Sequence, residues 1–379
     1  MNNNKILFTL RNGQKSPTFL ATADVHLAKK VYNEPELESD LRDNFSRLVD
    51  LAINMRVQYL VVAGDLFENN SAKPDTIGFV KQQVTKLAEQ GIRLIGIAGD
   101  HDKPLKGERW YCISGILPVS IIPEFAGIDY FDYSTVETPD LIRLITENKD
   151  PEKVQWLILH CQFPQLFKLS EAKKLIDFNH LELFSNFPNL QGVIAGDLHF
   201  APETKAYGVG YEAYVGYPGS LGQGDISEAA ECKRVLYCDG TTLQELPFKQ
   251  RRKMIRLDFR GELAETFDVS DYLALARKEE FRPVFHVTWD RESDPLRHKY
   301  RPLFDVAMIH EKQLKVGASL TDTDDCADRD EVSSELKVAK AIREACDSKD
   351  EDLIKFSIEL ISATDPKTVL DDFKAQFNL

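Results

Sequence analysis

Tyr59-Leu60-Val61-Val62-Ala63-Gly64-Asp65-Leu66-Phe67-Glu68 is the stretch on which the fold turns. Its first half is a short apolar run rich in strand formers, which reads as a buried strand. Its second half opens with Gly-Asp, where glycine lets the backbone turn sharply. The same grammar recurs along the chain. Thr18-Phe19-Leu20-Ala21-Thr22 runs into Ala23-Asp24-Val25-His26, and Arg93-Leu94-Ile95-Gly96-Ile97-Ala98 runs into Gly99-Asp100-His101-Asp102. Trp156-Leu157-Ile158-Leu159 runs into His160, and Gly192-Val193-Ile194-Ala195 runs into Gly196-Asp197-Leu198-His199. Between the early strands, residues 36–56 carry Leu41, Phe45, Leu48, Val49 and Ala52 at helical spacing. A second helix is expected over 74–90, started by Pro74 and stopped at Gly91. Ile6–Leu10 and Thr18–Thr22 read as strands around a turn carrying Asn12-Gly13. Strand, helix, strand, helix, strand is an α/β layered domain. Ligands of such sheets gather in the loops after the strands' carboxyl ends.

Five strand ends therefore deliver Asp24, His26, Asp65, Asp100, His101, His160, Asp197 and His199 to one region. Asp24/His26 and Asp197/His199 stand at alternate positions, and both members face one cleft if the chain stays extended there. A lone Asp-x-His is usually a capped turn, and a lone Gly-Asp is usually just a turn. Five in succession, each after an apolar strand, are hard to explain by turn chemistry. Mixed oxygen and nitrogen donors suit Mn²⁺, Fe²⁺ or Zn²⁺, and suit Ca²⁺ less.

Length and composition set the bounds. The chain has 379 residues, 43% hydrophobic and 28% charged, as expected of a folded protein with two to three domains. No window approaches ~18 consecutive apolar residues, so no membrane association is expected. The start, Met1-Asn2-Asn3-Asn4-Lys5, lacks the basic and apolar run of a secretory signal. Six cysteines without a Cys-x-x-Cys pair read as reduced thiols of a cytoplasmic protein. The net charge of −14 argues against gripping nucleic acid through the overall field. Residues 319–379, however, hold 8 basic and 16 acidic residues, leaving 39 against 45 in the first 318. More than half of the net negative charge sits in that tail, so a nucleic-acid substrate stays open.

The ordered set Asp24-x-His26, Gly64-Asp65, Gly99-Asp100-His101-Asp102, His160, Gly196-Asp197-x-His199 resembles the five-motif signature of the calcineurin-like metallophosphoesterases. Within them it is most similar to SbcD-type nuclease subunits, the bacterial and viral counterparts of the eukaryotic double-strand-break repair nuclease. Gly-Asp-Leu-Phe at 64–67, Tyr217-Pro218-Gly219-Ser220-Leu221 and Ile226-Ser227-Glu228 carry that closer likeness. The resemblance spans about residues 18–240 and is only architectural beyond 250.

It implies a two-sheet α/β sandwich with a small α/β capping domain and a helical C-terminal tail. The divisions expected are 1–250 for the nuclease domain, 251–318 for the cap, and 319–379 for an acidic loop plus a helical ATPase-binding segment. It implies two divalent ions, Mn²⁺ foremost with Mg²⁺ as the other choice. One is expected on Asp24, His26 and His199, the other on Asp100, His160 and Asp197, with Asp65 bridging. His101 is expected beside the scissile phosphate as acid or charge stabiliser. Glu68, Lys103 and Arg109 are candidates for contacting the substrate strand; their plainer reading is a cleft rim and solubilising charge. The implied function is a metal-dependent DNA exonuclease and endonuclease acting in repair or recombination. The implied partners are DNA, an SbcC-type coiled-coil ATPase on the C-terminal helices, and a second copy in a homodimer. The implied location is the bacterial cytoplasm, whether the source is host or virus.

Two positions depart from the family pattern, which has Asn at Asp100 and His at Asp197. Four ionised carboxylates would then balance the charge of two divalent ions, favouring hard ions such as Mn²⁺ or Mg²⁺. An inactive, degenerate site is the opposing reading. Two other functions stay open: a phosphatase or cyclic nucleotide phosphodiesterase of the same superfamily, and a non-catalytic scaffold for DNA ends or the ATPase. His180, His286, His298 and His310 fall outside the pattern and read as structural. Lys249-Gln250-Arg251-Arg252-Lys253 is a basic run read as a linker or solvated surface. In the tail, Val369, Leu370, Phe373 and Phe377 form one helical stripe after Asp365-Pro366.

Overall fold

The computed structural model describes residues 5–13, 15–69, 72–102, 113, 115–129, 138–163, 184–207, 211–290 and 292–314. The expected tail helices, the acidic loop, His180, Lys103 and Arg109 lie outside the described residues. In chain order the strands are β1 (Lys5–Thr9), β2 (Phe19–Thr22), β3 (Tyr59–Ala63), β4 (Arg93–Ile97), β5 (Ile116–Pro118), β6 (Phe125–Ala126), β7 (Trp156–His160), β8 (Gly192–Gly196), β9 (Glu203–Tyr207), β10 (Glu212–Gly216), β11 (Arg234–Cys238), β12 (Thr242–Pro247), β13 (Met254–Phe259), β14 (Val284–Trp289) and β15 (Met308–Gln313). Helices α1 (Pro35–Met55) and α2 (Pro74–Ala88) follow β2 and β3.

One seven-stranded sheet runs β1-β12-β11-β2-β3-β4-β5, and a five-stranded sheet runs β6-β7-β8-β10-β9. β2 to β5 are mutually parallel, as are β6, β7, β8 and β10. The period of two along each strand splits the core into layers. Leu20, Leu60, Val62 and Leu94 face Phe45, Leu48, Val49 and Ala52 of α1 and Val80, Val84 and Leu87 of α2. Phe19, Ala21, Val61, Ile95 and Ile97 face the second sheet through Phe125, Trp156, Ile158 and Ile194. Both faces of the central strands are thus buried, which explains their continuous apolar runs. This is the two-sheet α/β sandwich.

β1 and β2 do not pair. β12 and β11 lie between them, so the Asn12-Gly13 segment links two strands of one sheet that are not neighbours. The strands that separate them come more than 200 residues later in the chain.

β13, β14 and β15 make a parallel three-stranded sheet with its own core, including Phe259, Phe285, Val287, Tyr300 and Leu303. Met254, Val284 and Met308 of that sheet pack with Val31, Leu37 and Leu41 near the start of α1. Tyr32 stacks on His310 at 4.1 Å between ring centres, with His286 beside them. The basic run joins β12 to β13 with Lys249 and Lys253 exposed, but its two arginines are engaged. Arg252 pairs with Glu36 and Asp40, and Arg251 approaches Asp40 and Asp43, all on α1. These two arginines therefore tie the start of β13 to the first helix, while Lys253 pairs with Glu279.

Candidate metal centre

The loops after β2, β3, β4, β7 and β8 converge at one edge of the sandwich. Pairing continues past the strand ends: Val25 N–H and His26 N–H donate to the Asp65 carbonyl (2.8 and 3.0 Å), and Leu27 N–H donates to that of Leu66 (2.9 Å). Carboxylates stitch the loops further. Asp24 accepts from Asp197 N–H (3.1 Å), and Asp65 Oδ1 accepts from His101 N–H (3.0 Å). Asp102 accepts from the N–H groups of Leu66, Phe67 and Gly99 at 2.9–3.1 Å. Burial, with Asp65 adding to it, pushes Asp102 up to about 7.

The backbone at these turns is left-handed rather than extended. Asp24, His26, Asp65 and Asp197 have φ of 48°, 49°, 50° and 88°. Asp24 and His26 therefore reach the same site through successive tight turns, not through strand alternation. Non-glycine residues in this region are uncommon and strained, and they cluster at functional sites. Only Gly64 of the three motif glycines has a positive φ, at 90°. Gly99 and Gly196 serve by being small. A Cβ on Gly99 would lie 2.1 Å from Asp65 Oδ1, and one on Gly196 would lie 2.0 Å from the Ala63 carbonyl oxygen.

Four overlapping groups bring their ligand atoms within 4.8 Å of one another: Asp24, His26 and His199; His26, Asp65 and His101; Asp24, Asp65 and His160; Asp100, His160 and Asp197. All eight residues expected from the strand ends are thus gathered in one cluster. Asp65 shares groups with residues from both ends of it.

The imidazoles are oriented by what surrounds them. His160 Nδ1 donates to the Ala63 carbonyl (3.0 Å), and His199 Nδ1 donates to Glu228 Oε1 (3.0 Å). His26 Nδ1 stands 3.0 Å from Glu68 Oε2, off the line of a hydrogen bond. All three Nε2 atoms consequently face inward. His26 Nε2 and His199 Nε2 are 3.1 Å apart, and His160 Nε2 lies 3.3 Å from Asp100 Oδ1 and 3.5 Å from Asp65 Oδ2.

One proton on His26 cannot satisfy both of its ends. On Nε2 it reaches His199 but leaves a bare Nδ1 against the Glu68 carboxylate. On Nδ1 it leaves two nitrogen lone pairs facing each other. The arrangement calls for additional positive charge between the rings. Four nearby carboxylates make the same demand. Burial pushes Asp24 up to about 6 despite His160 and His199. Burial also opposes ionisation of Asp65, but His160 and His26 outweigh it and draw that group down to about 2. His160 is raised: burial disfavours its charge, and Asp65 and Asp100 more than compensate. The donor set fits divalent cations, and the clustered Asp and His residues are compatible with a dinuclear site.

His101 differs from these rings. It donates from Nδ1 to the Glu68 carbonyl (2.8 Å), and its side chain is 41% exposed at the mouth of the cluster. Glu68 is turned toward His26 and His101. Cys161, next to His160, is buried, and burial pushes its thiol far up, so it offers no thiolate.

The roles of three partners escaped the reading of the sequence. Asp102 and Glu228 stand in quoted motifs that assign them no role, Glu228 lying 29 residues from its histidine, and Lys233 lies in a stretch with no motif. Glu228 and Lys233 are both buried, at 3% and 4% exposure. An ionisable residue at a fully buried position is the signal, and burial is invisible at that distance along the chain.

Residues 17–201 match the family described as Calcineurin-like phosphoesterase, and the chain carries a metallophosphoesterase domain of that family. The chain is similar to proteins named "DNA double-strand break repair protein Mre11" from three organisms. That of Sulfurisphaera tokodaii is 36% identical over 127 residues, covering 34% of this chain and 31% of that protein. That of Sulfolobus acidocaldarius is 36% identical over 106 residues, covering 28% and 26%. That of Methanococcus maripaludis is 26% identical over 185 residues, covering 43% and 50%. The chain thus spans a quarter to a half of the length of these curated relatives. Among the described residues no helix is long and apolar enough to cross a membrane.

Proposed function

We propose that this chain is a two-metal DNA nuclease acting in the repair or recombination of DNA. The observation that carries the reading is the inward convergence of three Nε2 atoms and four carboxylates, each imidazole backed by an oxygen at Nδ1. The likeness of its matched portions to Mre11 proteins supports DNA as the substrate.

Asp24, His26 and His199 would hold one ion, and Asp100, His160 and Asp197 the other, with Asp65 shared. Two divalent ions, when bound, neutralise a phosphodiester's charge and make a water molecule acidic enough to attack. The side chains do the rest. The loops keep their ligands preorganised through the Asp24, Asp65 and Asp102 hydrogen bonds to backbone. His101, fixed at Nδ1, presents Nε2 to the departing sugar oxygen and gives it a proton or a hydrogen bond. With carboxylates at 100 and 197, the site prefers Mn²⁺ or Mg²⁺.

Residues 1–250 form the nuclease domain and 251–318 the cap. Residues 319–379 bind an SbcC-type ATPase, and the protein works as a homodimer in the cytoplasm. Lys103, Arg109 and Glu68 contact the substrate strand. The test is cleavage of end-labelled duplex and single-stranded DNA with Mn²⁺ or Mg²⁺, beside a phosphoprotein and a cyclic nucleotide. DNA cleavage that vanishes in Asp65→Ala is expected. Hydrolysis of the small or protein phosphates with DNA left intact would overturn the reading.

A further inference from the structure

The residues behind His199 form a closed, buried network. Glu228 Oε1 accepts from His199 Nδ1 (3.0 Å), and its Oε2 accepts from the Ser220 hydroxyl (2.6 Å) and from Lys233 Nζ (2.6 Å). Lys233 Nζ also donates to Ser220 Oγ (2.8 Å), to Glu231 Oε2 (2.9 Å) and to the His199 carbonyl (3.2 Å). Ser220 N–H donates to the same His199 carbonyl (3.0 Å), and Ser220 bridges to Ala23, the residue before Asp24.

A carboxylate buried this deeply is costly unless it is paired and hydrogen-bonded. Here the pairing divides by atom. One oxygen serves only the histidine, and the other takes the lysine and the serine. The ring of His199 is gripped at Nδ1 while its main chain is gripped by Lys233 and Ser220. An acceptor fixed at Nδ1 forces the neutral ring to keep its proton there and leaves the Nε2 lone pair free toward His26.

We infer that Glu228, held by Lys233 and Ser220, is a positioning residue that sets the tautomer and orientation of His199 for a divalent cation. This deepens the proposed reading of the same site and rests on it. Outer carboxylate partners of this kind orient imidazole ligands and raise their basicity.

The experiment measures Mn²⁺ binding to the full chain by calorimetry, without any nucleic acid. Glu228→Ala should weaken Mn²⁺ binding by about 10–100-fold. Glu228→Gln keeps an oxygen facing Nδ1 and leaves Lys233 paired with Glu231, so it should lose much less than Glu228→Ala. Equal losses in both variants, or no loss in folded Glu228→Ala, would overturn the inference. Nitrogen-15 shifts of the metal-free wild-type protein give a second readout that needs no variant. They should show His199 protonated at Nδ1 and bare at Nε2; the opposite tautomer would overturn it. Failure of wild type to bind Mn²⁺ at all would sink the two-metal reading instead, so the two failures are distinguishable.

Discussion

His26 and His199 turn their Nε2 atoms toward each other across 3.1 Å, although 173 residues separate them in the chain. With the Glu68 carboxylate also standing 3.0 Å from His26 Nδ1, that pose calls for a cation between the rings or an extra proton. Metal binding should therefore stabilise the fold. At a Mn²⁺ concentration of about 100 times the dissociation constant, linkage adds roughly 2.7 kcal/mol. Thermal melts with Mn²⁺ and with EDTA should separate accordingly, and Asp65→Ala should bring the two curves together.

His101 is the exposed ring of the cluster and is fixed by the Glu68 carbonyl. His101→Ala should lower DNA cleavage by about 10²–10⁴-fold, the range for general acid–base groups. The Mn²⁺-dependent rise in melting temperature should survive in that variant. Its loss would make His101 a ligand.

Gly99 tests how tightly the site is packed. A methyl group there would meet the Asp65 carboxylate at 2.1 Å, so Asp65 or the loop must move. Gly99→Ala should destabilise the fold by on the order of 1–3 kcal/mol and should weaken metal binding with it. An unchanged Mn²⁺ isotherm would mean that Asp65 is not an essential ligand.

Much of this was legible locally. An apolar run followed by Gly-Asp or Asp-x-His announces a buried strand and a functional loop, because both signals lie within ten residues, as in 59–68. The order of five such ends carried the family resemblance and, with it, the two-sheet expectation. What resisted were relations fixed by distant segments. β11 and β12 separate β1 from β2, and nothing near Asn12-Gly13 says so. Extended alternation was expected at Asp24 and His26, where the backbone is left-handed because each loop must turn back against its neighbour. Arg251 and Arg252 look solvated until α1 brings Glu36, Asp40 and Asp43 against them.

Asp100 and Asp197 give a direct test of metal choice. Replacing them by Asn and His removes two negative charges and adds a nitrogen donor. Asp100→Asn with Asp197→His should shift activity from Mn²⁺ and Mg²⁺ toward softer ions such as Zn²⁺. An unchanged ranking over a panel of metals would contradict the charge argument.

The contact between β14, β15 and Tyr32 should respond to acid. Burial holds both His286 and His310 below the ordinary value of 6.5, with His286 at about 4. Between those values the unfolded chain binds more protons than the folded one, so stability rises with pH there. The contribution is present above about 6.5 and is lost as pH falls toward 4. Melting temperature followed over that interval should fall less steeply in His286→Leu than in wild type.

The most direct test is to count the ions. Mn²⁺ titrated into the metal-free chain, followed by calorimetry and by electron paramagnetic resonance, reports stoichiometry and proximity together. The account predicts two ions per chain with spins coupled through a shared ligand, and loss of that coupling in Asp65→Ala. A single isolated ion, or none at saturating Mn²⁺, would contradict it.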